Sequence, residues 1–194
     1  MSQADSVLSL PAEAGFTPDR CGKQRLVGLT PEERRFYRQI LRAFLEVGSP
    51  TITALQQLAA EAGVQVEAAL SRLVQKDLIQ LHPQRQAIQV AYPFAGYVTP
   101  HQVWLSAEHF VYAMCAVDAL GIPFMVGRAA TIHSCSPRSH EVVRVAVDPI
   151  GQVEWAPAGA VVLVGWHGTR GIAAERCCPL VHFFPSMNEA EEHV

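Results

Sequence analysis

The five cysteines of this sequence include no Cys-x-x-Cys pair. That spacing is typical of zinc ribbons and thioredoxin-type redox sites, so neither is expected. The sequence also lacks a hydrophobic run of the roughly 20 residues needed to cross a bilayer. Its longest apolar stretches, such as 158–164, are much shorter. The polar start at Met1 is unlike a secretory signal. We therefore expect a cytoplasmic protein that does not bind membranes.

No single sign of charge dominates, because the sequence has 15 basic and 18 acidic residues, and its net charge is -3. This balance argues against a general affinity for nucleic acid, and we expect no such partner. Without a secretion signal, the cysteines are expected to be reduced thiols. With 49% hydrophobic residues in 194, the chain can bury a core in one domain or two small ones.

The first half of the chain is expected to be helical after a loose arm at 1–29. Thr30, Pro31 and Glu33 form a helix-start signature, and apolar residues then recur at helical spacing up to Gly48, which predicts a helix over 31–47. Two further helical patterns lead to a predicted hairpin of 78–81 and 87–92. This order resembles a winged helix-turn-helix, so we predict a winged-helix-like three-helix domain at 30–98.

The second half, 99–194, is predicted to be a catalytic α/β domain, which makes the fold class α+β. Ser106 can cap a helix that runs to Leu120 and ends at Gly121. Strand-like segments follow, separated by turns rich in Gly and Pro. They lie at 131–132, 142–147, 153–155, 160–164 and 180–184. We expect a small mixed β-sheet packed on the predicted helix.

Cys115 and Asp118 are the first candidates for chemistry. Residues three apart on a helix share a face, so the carboxylate can take the proton of the thiol and later pass it on. Taken alone, Cys115 also fits a small buried core residue. Asp118 also fits a carboxylate bonded to a backbone amide or to Arg128. A buried carboxylate without a partner is costly, which favours a functional role for the pair.

A second thiol pair, Cys177 and Cys178, precedes the last predicted strand. Adjacent residues of an extended strand point to opposite faces, so only one of these two thiols can readily meet Cys115. Cys21 and Cys135 are interpreted as structural or incidental. No role is assigned to the histidines, including His133 and His182, because lone histidines usually make ordinary hydrogen bonds.

These two segments together resemble the organomercurial (alkylmercury) lyase family. The segment from Tyr112 to Leu120, followed by Pro123, Gly127 and Arg128, is similar to the Cys-x-x-Asp segment of that family. The segment from Cys178 to Phe184 is similar to its second-cysteine strand. The resemblance spans roughly residues 30 to 187. It departs from the pattern at Met114, where some members have Trp.

The resemblance implies a reaction and its residues. It places the first catalytic cysteine on Cys115, the proton-carrying aspartate on Asp118 and the second cysteine on Cys178. If the match to the second-cysteine strand is shifted by one residue, the second cysteine falls on Cys177 instead. The reaction it implies is protonolysis of R-Hg(II) to R-H and Hg(II). Cys115 and Cys178 would hold Hg(II) transiently as product, with Cys177 a further candidate for substrate binding. No organic cofactor or resident metal is expected, small thiols would release the ion, and a mercuric reductase would accept it.

Two alternatives remain open at this point. One is a winged-helix regulator that senses a thiophilic metal and contacts phosphates through Arg72, Lys76 and Arg85, although Glu61 and nearby acidic residues dilute that patch. The other is a relative with a different substrate, or a zinc protein. The zinc ligands would be Cys115, Cys135, Cys178 and His133.

Overall fold

The computed structural model of the protein describes residues 24–82, 87–148, 150–165 and 171–194. Most of the predicted arm, together with Cys21, Arg85 and the tip of the predicted hairpin, lies outside these residues. Within them, no helix is both long enough and apolar enough to span a lipid bilayer.

Three helices open the described chain: α1 (Pro31–Val47), α2 (Ile52–Ala62) and α3 (Val66–Gln75). The predicted bounds of α1 are confirmed, with Gly48 as its C-cap. Thr30 Oγ1 accepts from the Glu33 amide at 3.2 Å, and Glu33 accepts from the Thr30 amide at 2.8 Å. These reciprocal bonds satisfy two otherwise unpaired donors, which explains why the helix begins there.

Ten strands and three more helices follow. The strands are β1 (Ile79–Leu81), β2 (Ile88–Ala91), β3 (Phe94–Ala95), β4 (His101–Ser106), β5 (His109–Ala113), β6 (Ala130–Cys135), β7 (Val142–Val147), β8 (Val153–Ala156), β9 (Val161–Val164) and β10 (Val181–Phe184). The helices are α4 (Ala116–Val126), α5 (Ala173–Arg176) and α6 (Met187–Glu191). The prediction of an α+β fold is therefore confirmed, and the prediction of a strand over 142–147 matches β7.

One eight-stranded sheet has the order β1-β2-β3-β5-β4-β6-β7-β8, and β9 pairs with β10 separately. Every strand pair among the described residues is antiparallel. The expectation of a small mixed sheet is thus wrong. Short turns join most neighbouring strands, and a short turn can only reverse the chain direction, whereas parallel pairing needs a long crossover.

The predicted helix over 106–120 is also wrong in its first half. Residues 101–113 form the β4–β5 hairpin instead, and α4 starts only at Ala116. Val111 and Ala113 are buried while Phe110 and Tyr112 are partly exposed, which is the alternation of a strand with one face on the core. Aromatic and β-branched residues favour such a surface over a helix.

The helical part and the sheet pack together directly. Phe44 of α1 stacks on Phe94 of β3 with ring centres 6.1 Å apart. The Tyr37 hydroxyl donates to the Tyr92 carbonyl at 2.9 Å. β3 pairs with both β2 and β5, so the sheet passes through the predicted boundary at residue 98 without a break. The winged-helix assignment and the domain division stay predictions.

The inner face of the sheet sets the position of α4. Val103, Ile132, Val143 and Val145 point to this side and are almost fully buried. α4 packs against β4, β5 and β6 there, and β10 packs against α4. The start of α4 and the segment before β10 are consequently neighbours.

Candidate active site

Cys115 lies at the N-cap of α4, directly after β5. Its sulfur accepts a hydrogen bond from the Asp118 amide at 3.4 Å, as a serine or threonine oxygen does at this position. The sequence-based prediction placed Cys115 and Asp118 in the last turns of a helix, and that is wrong. Both stand at the beginning of α4, because the chain before Cys115 is a strand.

Asp118 occupies the first turn of α4 and faces the Cys115 thiol. The thiol donates to Asp118 Oδ2 across 3.1 Å. The side chain of Asp118 therefore meets a sulfur rather than Arg128 or an unrelated backbone amide. A carboxylate in this position can accept the proton of the thiol without any movement of the backbone.

Cys178 begins a 3-10 turn, Cys178–Leu180, between α5 and β10. The expectation that Cys177 and Cys178 begin an extended strand is therefore wrong: Cys177 is the C-cap of α5, and the strand starts at Val181. Pro179 explains the turn, since proline has no amide hydrogen to contribute and its fixed φ suits the start of a helical turn.

The three candidate ligand atoms lie close together. Cys115 Sγ, Cys178 Sγ and a carboxylate oxygen of Asp118 are all within 4.8 Å of one another, and Cys178 Sγ is 3.9 Å from Asp118 Oδ2. Cys115 and Cys178 are only 5% and 4% exposed. Two buried sulfurs beside one carboxylate form a site suited to a soft, sulfur-seeking metal.

The four zinc ligands considered from the sequence do not assemble. In the described part of the chain, the group at Cys115 includes neither Cys135 nor His133, and no other cluster of three potential metal ligands occurs there. Cys135 is exposed at the end of β6. His133 packs near Trp104, with ring centres 5.9 Å apart.

Burial and hydrogen bonds set the proton affinities of the site. It raises the pKa of Asp118 to about 6, against the opposing effects of the hydrogen bond from Cys115 and of the positive charge on Arg25. The pKa of Cys178 is raised, first by its hydrogen bond to Cys115, then by its hydrogen bond to Cys177 and by burial. Cys178 therefore keeps its proton until a metal arrives.

Cys177 differs from its neighbour in exposure and contacts. It is partly exposed, and its sulfur lies 3.4 Å from the Ala173 carbonyl oxygen, to which it donates. The hydrogen bond with Cys178 lowers the pKa of Cys177 to about 7. Cys177 is not in the group with Asp118, so of the two adjacent thiols it is Cys178 that lies within 4.8 Å of both Cys115 Sγ and the Asp118 carboxylate.

Residues that the sequence did not indicate surround this group. Tyr97 donates to the Met114 sulfur at 3.6 Å, and burial raises the pKa of Tyr97. Arg25 forms an ion pair with Asp77 at 3.0 Å. These residues come from separate parts of the chain and form no local pattern, so no sequence signal could have found them.

Comparisons with known proteins identify the family of this chain. Residues 94–194 match the family model described as alkylmercury lyase. The alkylmercury lyase of Staphylococcus epidermidis is 30% identical over 158 residues, which is 80% of this chain and 69% of the relative. That of Bacillus cereus is 28% identical over 145 residues, or 75% of this chain and 65% of the relative.

A solved structure shows the same fold. The crystal structure of the mercury-bound form of MerB2 superposes with a TM-score of 0.71 at 21% identity, covering 88% of this chain and 82% of that one. The family match covers more than half of the sequence and includes Cys115, Asp118 and Cys178. This chain belongs to the alkylmercury lyase family, a family of carbon-mercury lyases.

Proposed function

We propose that this protein cleaves the carbon-mercury bond of organomercurials by protonolysis, giving R-H and Hg(II). The observation that carries the proposal is the placement of two buried sulfurs and one carboxylate oxygen within 4.8 Å. Hg(II) is a very soft cation and prefers thiolate sulfur to nitrogen or oxygen ligands. A pair of thiolates can hold it while an adjacent acid supplies the proton that the carbon needs.

The first step is capture by Cys115. Its sulfur displaces the ligand X of R-Hg-X, and the thiol proton leaves with X as HX. Asp118 Oδ2, at 3.1 Å, is placed to receive and pass on that proton. The organic group remains on the mercury at this stage, so the second sulfur still has to bind.

The second step joins Cys178 to the metal and uses its proton. As the sulfur binds, its proton passes to the Asp118 carboxylate, 3.9 Å away. Two thiolates raise the electron density on mercury and weaken its bond to carbon. Protonated Asp118 then donates to the carbon, the carbon-mercury bond breaks, and R-H leaves while Hg(II) stays on the two sulfurs. The overall change is R-Hg-X plus two thiols to R-H, HX and a mercury dithiolate.

Asp118 suits both halves of this transfer because burial raises its pKa to about 6. A carboxyl group with an ordinary pKa near 4 would release its proton to water at neutral pH and would be a weak donor to carbon. Metal-bound thiolates add negative charge beside it, which favours its protonated form further. No organic cofactor or resident metal takes part in the proposed reaction.

Release of the product completes the cycle. Small cellular thiols would exchange with the two cysteines and carry Hg(II) away, and a mercuric reductase would be the acceptor. We propose a cytoplasmic location for the protein, because thiols stay reduced there.

The direct test is incubation of the purified protein with phenylmercury and excess thiol, with benzene measured by gas chromatography. We expect catalytic formation of benzene, many molecules per chain. Denatured protein and thiol alone serve as controls for spontaneous cleavage. Mercury uptake without benzene would contradict the proposal and would favour a metal-sensing regulator, which a test of salt-sensitive binding to promoter DNA would then examine.

The pH dependence follows from the raised pKa of Asp118. The carboxylate must be ionised to take the first proton, so activity should be present above its pKa and lost below it. We expect kcat/KM for phenylmercury to fall about tenfold per pH unit below a midpoint at pH about 6. Initial rates at low substrate concentration across the acid and neutral range measure this profile.

Arg25 provides a charge control for that profile. Its positive charge lowers the pKa of Asp118, so Arg25→Gln should move the midpoint to higher pH. Arg138→Gln removes a cation that pairs with the exposed Glu192 at 2.7 Å and should leave the midpoint unchanged. A profile that stays flat through pH 6, or an Arg25→Gln midpoint that moves to lower pH, would show that another group titrates.

A further inference from the structure

The short helix α5 ends just before Cys177 and Cys178, and its own N-cap residue, Ile172, does not supply a capping hydrogen bond. The first amides of a helix have no partner within it and must be satisfied from elsewhere. Here the Ala173 amide donates to Asp77 Oδ2 at 3.0 Å, and the Ala174 amide donates to the Tyr92 hydroxyl at 2.8 Å. Both acceptors lie about eighty or more residues earlier in the chain.

Asp77 and Tyr92 are themselves held firmly. The Tyr92 hydroxyl donates to Asp77 Oδ1 at 3.3 Å and accepts from Gln80 Nε2 at 3.0 Å. With the Ala174 amide, this uses the single donor and both acceptor positions of the phenol. The hydroxyl therefore has one orientation that satisfies all of its partners.

Arg25 contacts both Asp77 and Tyr92 and stabilises their positions. Its guanidinium binds Asp77 Oδ2 at 3.0 Å and the Asp77 backbone carbonyl at 2.7 Å. It also lies 5.1 Å from the centre of the Tyr92 ring. Asp77 has a φ of 51°, in the left-handed region that aspartate tolerates better than most residues. The contacts of Arg25 hold Asp77 in the turn between α3 and β1, facing α5.

These contacts reach the Cys178 thiol through α5. Cys177 N donates to the Ala173 carbonyl at 3.0 Å, and Leu180 N donates to the Cys177 carbonyl at 2.8 Å, so the position of α5 fixes the turn that carries Cys178. Cys115 and Asp118 stand at the start of α4, which is held by other contacts: α4 packs on β4, β5 and β6, and the Met114 amide donates to the Pro93 carbonyl at 3.0 Å. A shift of α5 would separate Cys178 from an otherwise intact pair.

We propose that Asp77 and Tyr92 are positioning residues that hold α5 so that Cys178 reaches a metal bound at Cys115. The catalytic consequence rests on the proposed function, because it is the second sulfur that activates the carbon-mercury bond. A displacement of a reacting group by about 1 Å can cost about a hundredfold in rate. Asp77 and Tyr92 would thus contribute to catalysis by positioning Cys178 rather than by binding the substrate.

The test uses Tyr92→Phe and Asp77→Asn, with Tyr112→Phe and Asp148→Asn as matched controls. Tyr112 lies on the partly exposed face of β5 against Phe110, and the Asp148 carboxylate accepts from the Ile150 amide in the β7–β8 turn. Each variant is treated with iodoacetamide, and the alkylation rate of every cysteine is followed by mass spectrometry. Steady-state kcat and KM for phenylmercury are measured in parallel.

In the Asp77 and Tyr92 variants we expect the Cys178 alkylation rate to rise about tenfold while the Cys115 rate stays within about twofold. We expect kcat to fall about tenfold and KM to stay within about twofold, because capture by Cys115 is kept. The control variants should match wild type in all four quantities.

Three results separate the possibilities. Unchanged Cys178 alkylation and unchanged kcat would overturn the proposal. An equal rise for both thiols with a lower melting temperature would also overturn it, since that reports general loosening rather than positioning. If wild type forms no benzene but the variants still expose Cys178 selectively, the proposed function fails while the positioning role stands.

Discussion

Replacing Cys178 with alanine is expected to lower benzene formation from phenylmercury by about a thousandfold or more, which corresponds to a loss of about 4 kcal/mol of transition-state stabilisation. The variant keeps Cys115 and Asp118, so it should still capture phenylmercury. Without a second sulfur, however, the carbon remains too weakly basic to accept a proton. Single-turnover measurements of bound mercury and released benzene distinguish these two steps.

Cys115→Ala is expected to lose as much activity, but for a different reason. It removes the sulfur that lies 3.1 Å from the Asp118 carboxylate. Capture then depends on Cys178, whose pKa is still raised by its hydrogen bond to Cys177 and by burial after the contribution of Cys115 is removed. We therefore expect both mercury binding and benzene release to fall in this variant.

Cys177→Ala and Cys135→Ala are the matched controls. Cys177 precedes Cys178 directly, and Cys135 is an exposed thiol on β6. Both variants should keep activity within about threefold of wild type, the range of an indirect effect. Loss of activity in Cys177→Ala with full activity in Cys178→Ala would place the second catalytic thiol on Cys177.

Asp118→Asn is the second substitution that we expect to lower the rate of carbon-mercury cleavage strongly. Asparagine matches aspartate in shape but cannot take a proton from a thiol or give one to carbon. We expect mercury capture to persist and the protonolysis rate to fall by about a hundredfold to ten-thousandfold, the usual share of a positioned general acid-base group. Rapid-quench measurement of benzene, beside the mercury retained after gel filtration, records the two steps separately.

Asp148→Asn controls for the substitution itself, since it changes the same side chain at a position outside the group of Cys115, Asp118 and Cys178. An Asp118→Asn enzyme as fast as wild type would rule out the aspartate as proton carrier. Loss of capture together with cleavage would instead give Asp118 a role in holding the thiols in place.

Local patterns predicted some elements well. The reciprocal bonds of Thr30 and Glu33 fix the start of α1 within four residues of sequence, so the helix could be read directly. β7 could be read as well, because four of its six residues are valine, which favours strands. The hairpin at 101–113 was missed because Ser106 and Glu108 imitate a helix start. Its true determinant is the pairing of β4 with β5 and β6, which the sequence does not show locally.

The site was predicted in part for a related reason. Residues three apart face each other at a helix N-cap as well as within a helix, so the closeness of Cys115 and Asp118 did not depend on the misplaced helix. The resemblance supplied Cys178. The contacts of Asp77 and Tyr92 with α5 join residues more than eighty apart, and only the folded chain reveals them. The catalytic roles of the two thiols and the aspartate stay predictions.

The most direct test of the account is a crystal structure of the protein after reaction with one equivalent of phenylmercury. We predict a single mercury bonded to Cys115 Sγ and Cys178 Sγ, with the Asp118 carboxylate beside it and no phenyl group attached. A mercury bound to Cys177 or Cys135 instead, or one that keeps its phenyl group between the two buried sulfurs, would contradict it.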